Sequence, residues 1–331
     1  MLKGIYLLDE KSFHKIYGPK QRKEISELVD IYAPMQTIDT VEADPDILRD
    51  ADVIFSGWHM SRMDSKFLES APNLKAVFYG AGSTKYFVTD EVWDKDIVIC
   101  SAYTANAIPV AEFTLGQILL SLKSVWYHSR DIRHKRDFVR SECFGPGIYG
   151  STIGLISLGT IARYLCQFLM AFNVRIIAYD PYVDKETAQS LNVELCSLED
   201  VFRCSDVVSL HSPLNDQTVG MIRREHLLSM KPYSTFINTA RGAIVDENEM
   251  IDALRQRADL TALLDVTEPE PPLRTSPLYD LKNVILTPHI AGSMGLECRR
   301  MGDMMVQELK RYVSGRPLMT RVMAHQVAMM S

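Results

Sequence analysis

The apolar and polar positions of this chain fall into two series. In the first hundred residues, short apolar runs at Lys3–Leu8, Val53–Ser56, Leu74–Tyr79 and Ile97–Ser101 alternate with segments of helical patterning. Continuous rather than alternating apolarity suits strands covered on both faces, as in a parallel sheet flanked by helices. One long helical pattern follows, from Asn106 to about Lys135, apolar at Ala107, Val110, Ala111, Leu115, Ile118, Leu119 and Leu122. It ends at Phe144-Gly145-Pro146-Gly147-Ile148-Tyr149-Gly150, where three glycines and a proline break any helix. The second series is more regular, with strands expected at Thr152–Ser157, Val174–Tyr179, Val207–Leu210, Thr235–Asn238, Leu260–Leu264 and Val284–Leu286. Asp246, with Glu249 three residues on, marks a helix start of the capping-box kind. A last helix, about Gly295 to Val313, comes after the final strand and is expected to return to the first series. The pattern as a whole predicts an α/β chain.

Composition sharpens this only a little. At 331 residues, 47% of them hydrophobic, the chain can fill two ordinary cores, and its length favours two domains. A net charge of -6 and a pI near 5.8 offer no basic surface to nucleic acid or to an anionic membrane. The apolar start, Met1 to Leu8, meets Asp9 and Glu10 too soon for a signal peptide, and no later run is expected to reach bilayer length. Cys100, Cys143, Cys166, Cys196, Cys204 and Cys298 are scattered without a C-x-x-C pair. They read as buried thiols of a reducing compartment, neither a metal site nor a disulfide frame. The expectation is a soluble cytoplasmic protein with no metal, no nucleic-acid partner and no membrane partner.

Chemistry enters with the second series. Ile153-Gly154-Leu155-Ile156-Ser157-Leu158-Gly159-Thr160-Ile161-Ala162 runs from a strand straight into a helix, and the next strand ends at Tyr179-Asp180. A strand, a tight turn, a helix N-terminus and an acid about 20 residues on form a dinucleotide-binding unit. Gly159 lets the backbone approach a pyrophosphate, and the helix N-terminus offers amide donors and a positive dipole. Asp180 accepts from ribose hydroxyls and repels a 2′-phosphate, which favours NAD over NADP. The fingerprint departs from G-x-G-x-x-G/A at its first glycine, where Ser157 stands, while Ala162 satisfies the third position. Alone, the hexapeptide fits an ordinary strand-to-helix turn equally well; the acid and the sheet around it favour a cofactor.

Three polar groups lie just past the carboxyl ends of strands, where α/β sheets bind ligands. Arg241 follows Thr235–Asn238, Glu270 follows Leu260–Leu264, and His289 follows Val284–Leu286. Reducing a ketone by hydride transfer leaves an alkoxide that needs a proton, and histidine beside a carboxylate suits that task. A planar guanidinium grips a 2-keto acid and polarises its carbonyl. Singly, each has a plainer structural reading: a salt bridge, a solvated loop acid, a core histidine. Together, beside a nucleotide-binding turn, they point to catalysis.

The segments Gly154–Ala162, His211-Ser212-Pro213-Leu214, Asn238–Asp246 and Leu264–Gly292 closely resemble signatures of the D-isomer-specific 2-hydroxyacid dehydrogenase family. Tyr79-Gly80-Ala81-Gly82 and Asn106–Glu112 match that family's substrate loop and interdomain helix start, so the resemblance covers nearly the whole chain. It implies two Rossmann-like, doubly wound parallel-sheet domains with a cleft between them. Residues 1–103 and 291–331 would form a discontinuous, flavodoxin-like substrate-binding domain, and 104–290 an NAD-binding Rossmann domain. It further implies that Arg241 binds substrate, that His289 is the acid/base and that Glu270 pairs with it. Gly159, Thr160, Ile161, Asp180, His211, Pro213, Thr239, Ala240 and Asp265 would contact NAD, Asp265 at the nicotinamide carboxamide. The amides around Ala81 and Gly82, with Tyr79, would hold a small 2-keto or 2-hydroxy acid, and the family is usually a homodimer through its cofactor domain. Thr160 stands where the family often has arginine. Some relatives use this fold as NAD-responsive, corepressor-like interaction proteins, which is the alternative reading. Glu270 argues against the formate dehydrogenase branch, which carries an amide there. By the same analogy Ser56-Gly57-Trp58-His59-Met60 faces the substrate side chain. The loop is bulky and lacks the arginines a phosphorylated substrate would want, although Arg62 and Lys85 keep a charged substrate open. Trp58 reads equally well as a core aromatic.

Overall fold

The structure, a computed structural model, describes residues 1–138 and 145–327; Cys143 and Phe144 lie outside the described residues. The chain divides into two compact units, Met1–Ala107 with the residues from Ser293 onward, and Ile108–Gly292. The division falls within the helix Tyr103–Leu122.

The first unit carries strands β1 (Leu2–Leu7), β2 (Val29–Ile31), β3 (Val53–Ser56), β4 (Ala76–Tyr79) and β5 (Val98–Ser101). All five run parallel in the order 5-4-3-1-2. Neighbouring residues of β4 serve opposite faces: Ala76 and Phe78 join one buried cluster, Val77 and Tyr79 the other. That double burial is why these strands read as unbroken apolar runs. Winding reverses between β1 and β3, so the loop after β1 and the loop Gly57–Met60 flank the switch point. The helix Glu297–Val313 packs on Glu10–Ile16 and Pro19–Ser26. Gly302 makes that packing possible, since a Cβ there would lie 2.1 Å from the Ile16 carbonyl oxygen.

The second unit holds β6 (Thr152–Ile156), β7 (Arg175–Tyr179), β8 (Val193–Leu195), β9 (Val207–Leu210), β10 (Thr235–Asn238), β11 (Thr261–Leu264) and β12 (Val284–Leu286). The sheet is wholly parallel in the order 12-11-10-9-6-7-8, with the switch point between β6 and β9. Phe236 on β10 feeds the cluster on one face and its neighbour Ile237 the cluster on the other. Back in the first unit, a short strand β13 (Arg321–Val322) closes the sheet edge antiparallel to β5.

Several expectations need correction. The edge strands β2 and β8 are only three residues long, each with a single buried residue, which gives periodicity too little to work on. The long helical pattern is two helices, Tyr103–Leu122 and Val125–Lys135. Between them Ser124 takes a left-handed conformation (φ 48°), and the Leu122 carbonyl accepts from Gly147 N–H at 3.0 Å. Gly145 packs so tightly there that a Cβ would sit 2.5 Å from Ser124 Oγ. Tyr103–Leu122 is also long and apolar enough, by composition, to cross a bilayer, contrary to expectation, but half of it is buried inside the protein. Of the expected capping box at Asp246, one arm forms: Asp246 accepts from Glu249 N–H at 3.0 Å, whereas the Glu249 carboxylate accepts from Arg224 N–H at 2.9 Å.

Candidate active site

At the switch point of the second unit, the turn after β6 enters the ten-residue helix Thr160–Leu169. Gly159 is its N-cap, with no side-chain cap bond, so the first amides of the helix stay available. A Cβ at Gly159 would meet only Ser157 Oγ, at 4.0 Å; the glycine borders open space, as close approach of a pyrophosphate requires. Thr160 and Ile161 are half-buried in the first helical turn. Asp180 ties the turn together: Oδ2 accepts from Leu158 N–H at 2.7 Å and Oδ1 from Tyr182 N–H at 2.8 Å.

Ser157 adopts φ 77°, a left-handed geometry that costs a side-chain-bearing residue about 1 kcal/mol. The motif glycine belongs at this position for that reason. Ser157→Gly is expected to raise Tm by about 2–4 °C, read from thermal melts. A lower Tm would mean that the 3.4 Å contact of Ser157 Oγ with Asp180 outweighs the strain.

The neighbouring loop, after β9, carries His211 and Pro213. His211 is buried, with Nε2 3.0 Å from Ser209 Oγ and Nδ1 without a hydrogen-bonding partner among the described residues. Burial pushes its imidazole down to about 4. The unfolded chain takes this proton near pH 6.5, the folded chain only near 4, so stability is lost as pH falls through that window, by about 3 kcal/mol. His211→Gln should therefore flatten the acid loss, measured by urea unfolding at neutral and acid pH. An unchanged difference between the two pH values would show that His211 does not set it. Thr239 is buried and its Oγ1 has no partner among the described residues. The open space at Gly159 and these two orphaned polar atoms fit a dinucleotide.

The turn after β10 is held by the Asn238 side chain, which accepts from Ala240 N–H at 3.0 Å and donates to the Arg241 carbonyl at 3.1 Å. Gly242 permits contact with the loop after β11: a Cβ there would lie 2.0 Å from the Thr267 carbonyl carbon. This contact brings Arg241 and Glu270 within electrostatic reach. Burial lowers the Arg241 pKa, and the Glu270 charge opposes the shift. Glu270 Oε1 lies 2.6 Å from His289 Nδ1, the two side chains 41% and 46% exposed. Glu268, on the same loop, is exposed and meets Glu247 through its backbone N–H.

Asp265 emerges in a further role. It is 3% exposed, and its Oδ1 accepts from the Thr287 hydroxyl at 2.6 Å and Ile290 N–H at 2.9 Å, Oδ2 from Ala291 N–H at 2.8 Å. Its carbonyl takes His289 N–H at 2.9 Å. These bonds surround His289, whose φ is 54°. Sequence patterning had no signal for this, nor for Asn238; for Gly242 the Arg-Gly pair was a clue.

In the first unit, Ala81 and Gly82 follow β4, and the Ser101 hydroxyl bonds both their carbonyls at 3.0 and 2.6 Å. Their N–H groups make no bond among the described residues, leaving two donors for an anion. The Tyr79 side chain is 1% exposed, its hydroxyl 3.1 Å from that of Tyr86. Met60 is buried, and its N–H donates to Tyr86 Oη at 3.1 Å. Trp58 is half-buried against both clusters of this unit, so the core-aromatic reading of it describes much of its surface.

A sequence model of the D-isomer specific 2-hydroxyacid dehydrogenase NAD binding domain matches residues 115–291. The chain belongs to this family. Among its curated relatives, D-3-phosphoglycerate dehydrogenase of Methanocaldococcus jannaschii is 32% identical over 81% of this chain and 51% of its own length. (S)-Sulfolactate dehydrogenase of Chromohalobacter salexigens is 34% identical over 76% of this chain and 81% of its own. The chain thus spans about half the length of the phosphoglycerate dehydrogenases it matches. Among solved structures, Rhodotorula graminis D-mandelate dehydrogenase superposes with a TM-score of 0.82 at 23% identity, covering 98% of each chain, which shows the shared fold. The second unit is thereby the family's NAD binding domain.

Proposed function

We propose that this chain is an NAD-dependent D-2-hydroxyacid dehydrogenase, acting between C2 of a small 2-hydroxy acid and the matching 2-keto acid. One observation carries the reading: a histidine in 2.6 Å contact with a carboxylate, on loops of one sheet that also carry a half-buried arginine, in a domain with a dinucleotide turn. When bound, NAD(H) supplies or accepts the hydride. Gly159, Thr160 and Ile161 would receive its pyrophosphate, Asp180 its ribose, and His211, Pro213, Thr239, Ala240 and Asp265 would line the rest of its site. Arg241 grips the substrate and polarises its carbonyl. His289 gives its proton to the nascent alkoxide or takes it back, and Glu270 orients the ring. The free amides of Ala81 and Gly82 suit a carboxylate, and the family resemblance implies substrate contacts for them and for Tyr79 and Trp58.

The relatives' names mention phosphoglycerate and sulfolactate, both with an anionic far end. Here Trp58 and buried Met60 offer no cation, so we assign an uncharged substrate side chain. A homodimer through the second unit is supported by its exposed apolar residues, Leu120, Tyr149 and Met170. The five cysteines among the described residues are unpaired, which supports a cytoplasmic setting. The test is NADH oxidation across glyoxylate, hydroxypyruvate, pyruvate, phenylpyruvate, 2-ketoisocaproate and 3-phosphohydroxypyruvate. Turnover should be seen, with an unphosphorylated acid best. Highest kcat/KM on 3-phosphohydroxypyruvate overturns the substrate assignment, and turnover on none overturns the reading.

A further inference from the structure

Away from the residues assigned above, the first unit holds a pocket of about 360 Å3 between the helix Ile38–Ala43, the turn Pro45–Leu48 and the segment Ser61–Ser70. That volume is within the range of small-molecule sites. Its floor is apolar, built by Val41, Leu48 and Phe67, all part of one core cluster. Its rim carries both signs of charge: Glu42 and Asp64, Arg62 and Lys66. All four are exposed, and none of Glu42, Arg62 and Lys66 forms an ion pair among the described residues. Asp64 uses Oδ1 to cap the next helix, accepting from Phe67 N–H at 3.0 Å. Glu91 feels the Arg62 charge without pairing to it. In the same wall, Ser61 is 9% exposed, and its Oγ is buried with no hydrogen-bond partner among the described residues. A buried hydroxyl without a partner is uncommon and calls for a ligand or water.

We propose that this pocket binds a free α-amino acid with an apolar side chain. Charge decides the class. A simple anion would be drawn to Arg62 and Lys66 but repelled by Glu42 and Asp64, and a simple cation would meet the reverse. A zwitterion satisfies both, its carboxylate on Arg62, where the guanidinium fork fits it, and its ammonium on Glu42. An aliphatic or aromatic side chain then covers Val41, Leu48 and Phe67, removing apolar surface from water.

The test is calorimetric titration of the full chain, without cofactor, with L-leucine, 4-methylpentanoate (which lacks the ammonium) and 3-methylbutylamine (which lacks the carboxylate). L-Leucine should bind saturably with a Kd of about 1 mM or tighter. Each half-ligand should bind at least about 5-fold more weakly, and Glu42→Gln and Arg62→Gln should each weaken leucine by about the same factor. Ser70→Trp, which fills the pocket, should abolish binding. Arg241→Lys should leave it unchanged, which separates this site from the dehydrogenase site; no turnover is read, so failure of one reading leaves the other standing. No saturation at ten times that concentration, equal binding of 4-methylpentanoate, or rim variants that bind like the parent would each overturn the proposal.

Discussion

Arg241→Lys is expected to lower kcat/KM for keto-acid reduction about 10²–10³-fold, with the NADH Kd unchanged within a factor of two or so. The charge is kept, so the loss reads geometry. The guanidinium is planar, with five donors in a fixed fork; here one of them goes to the Ala240 carbonyl at 2.6 Å. That bond and the Asn238 clamp on Ala240 and Arg241 fix the root of the side chain, and the remaining donors are left for substrate. A lysine has three donors around a point and cannot hold the carbonyl brace and a bidentate grip together. Burial adds to the loss. Arg241 stays protonated despite the downward push of burial, because guanidinium starts so high, whereas an ammonium in the same place gives up its proton far more readily. Steady-state kinetics with the best acid of the screen, beside an NADH titration, measures both effects. Turnover like the parent's would remove Arg241 from substrate binding.

Much of the fold and the site was legible because it rests on local chemistry. Strands such as β9 to β11 announce themselves by unbroken apolarity, since both faces are buried. The roots of Arg241, Glu270 and His289 were legible for the same reason: each follows such a strand. What escaped is decided by distant contacts. Nothing near Ser124 announces that Gly147, over 20 residues on, takes the Leu122 carbonyl and ends the helix. The Tyr86 hydroxyl meets both Met60 N–H and the Tyr79 hydroxyl, contacts that no periodicity announces. The bonds of Asp265 to the loop of His289 span up to 26 residues and follow no periodicity. Ser157 is the opposite case: the pattern flagged it as foreign, and its φ of 77° gives the physical reason.

His289→Ala is expected to remove about 10³–10⁴-fold from kcat while leaving NADH binding in place, because the alkoxide loses its proton donor. Glu270→Gln should cost less, about 10²-fold. The carboxylate only accepts, so at 2.6 Å it requires His289 Nδ1 to carry hydrogen, which leaves Nε2 as the nitrogen that exchanges a proton with substrate. Glutamine has nearly the same shape but presents either an oxygen or an N–H, so both ring tautomers become acceptable and part of the population is wrongly set. The pair is about half exposed, so water softens the loss. Stopped-flow and steady-state rates of NADH oxidation give the single-variant values, but the double variant decides the pairing. If Glu270 acts through His289, removing it from the His289→Ala protein should change little, since there is no ring left to orient. A further 10²-fold or so would break the pairing. Glu270 would then act through Arg241, whose guanidinium feels its charge, and its effect should vanish in the Arg241→Lys background instead.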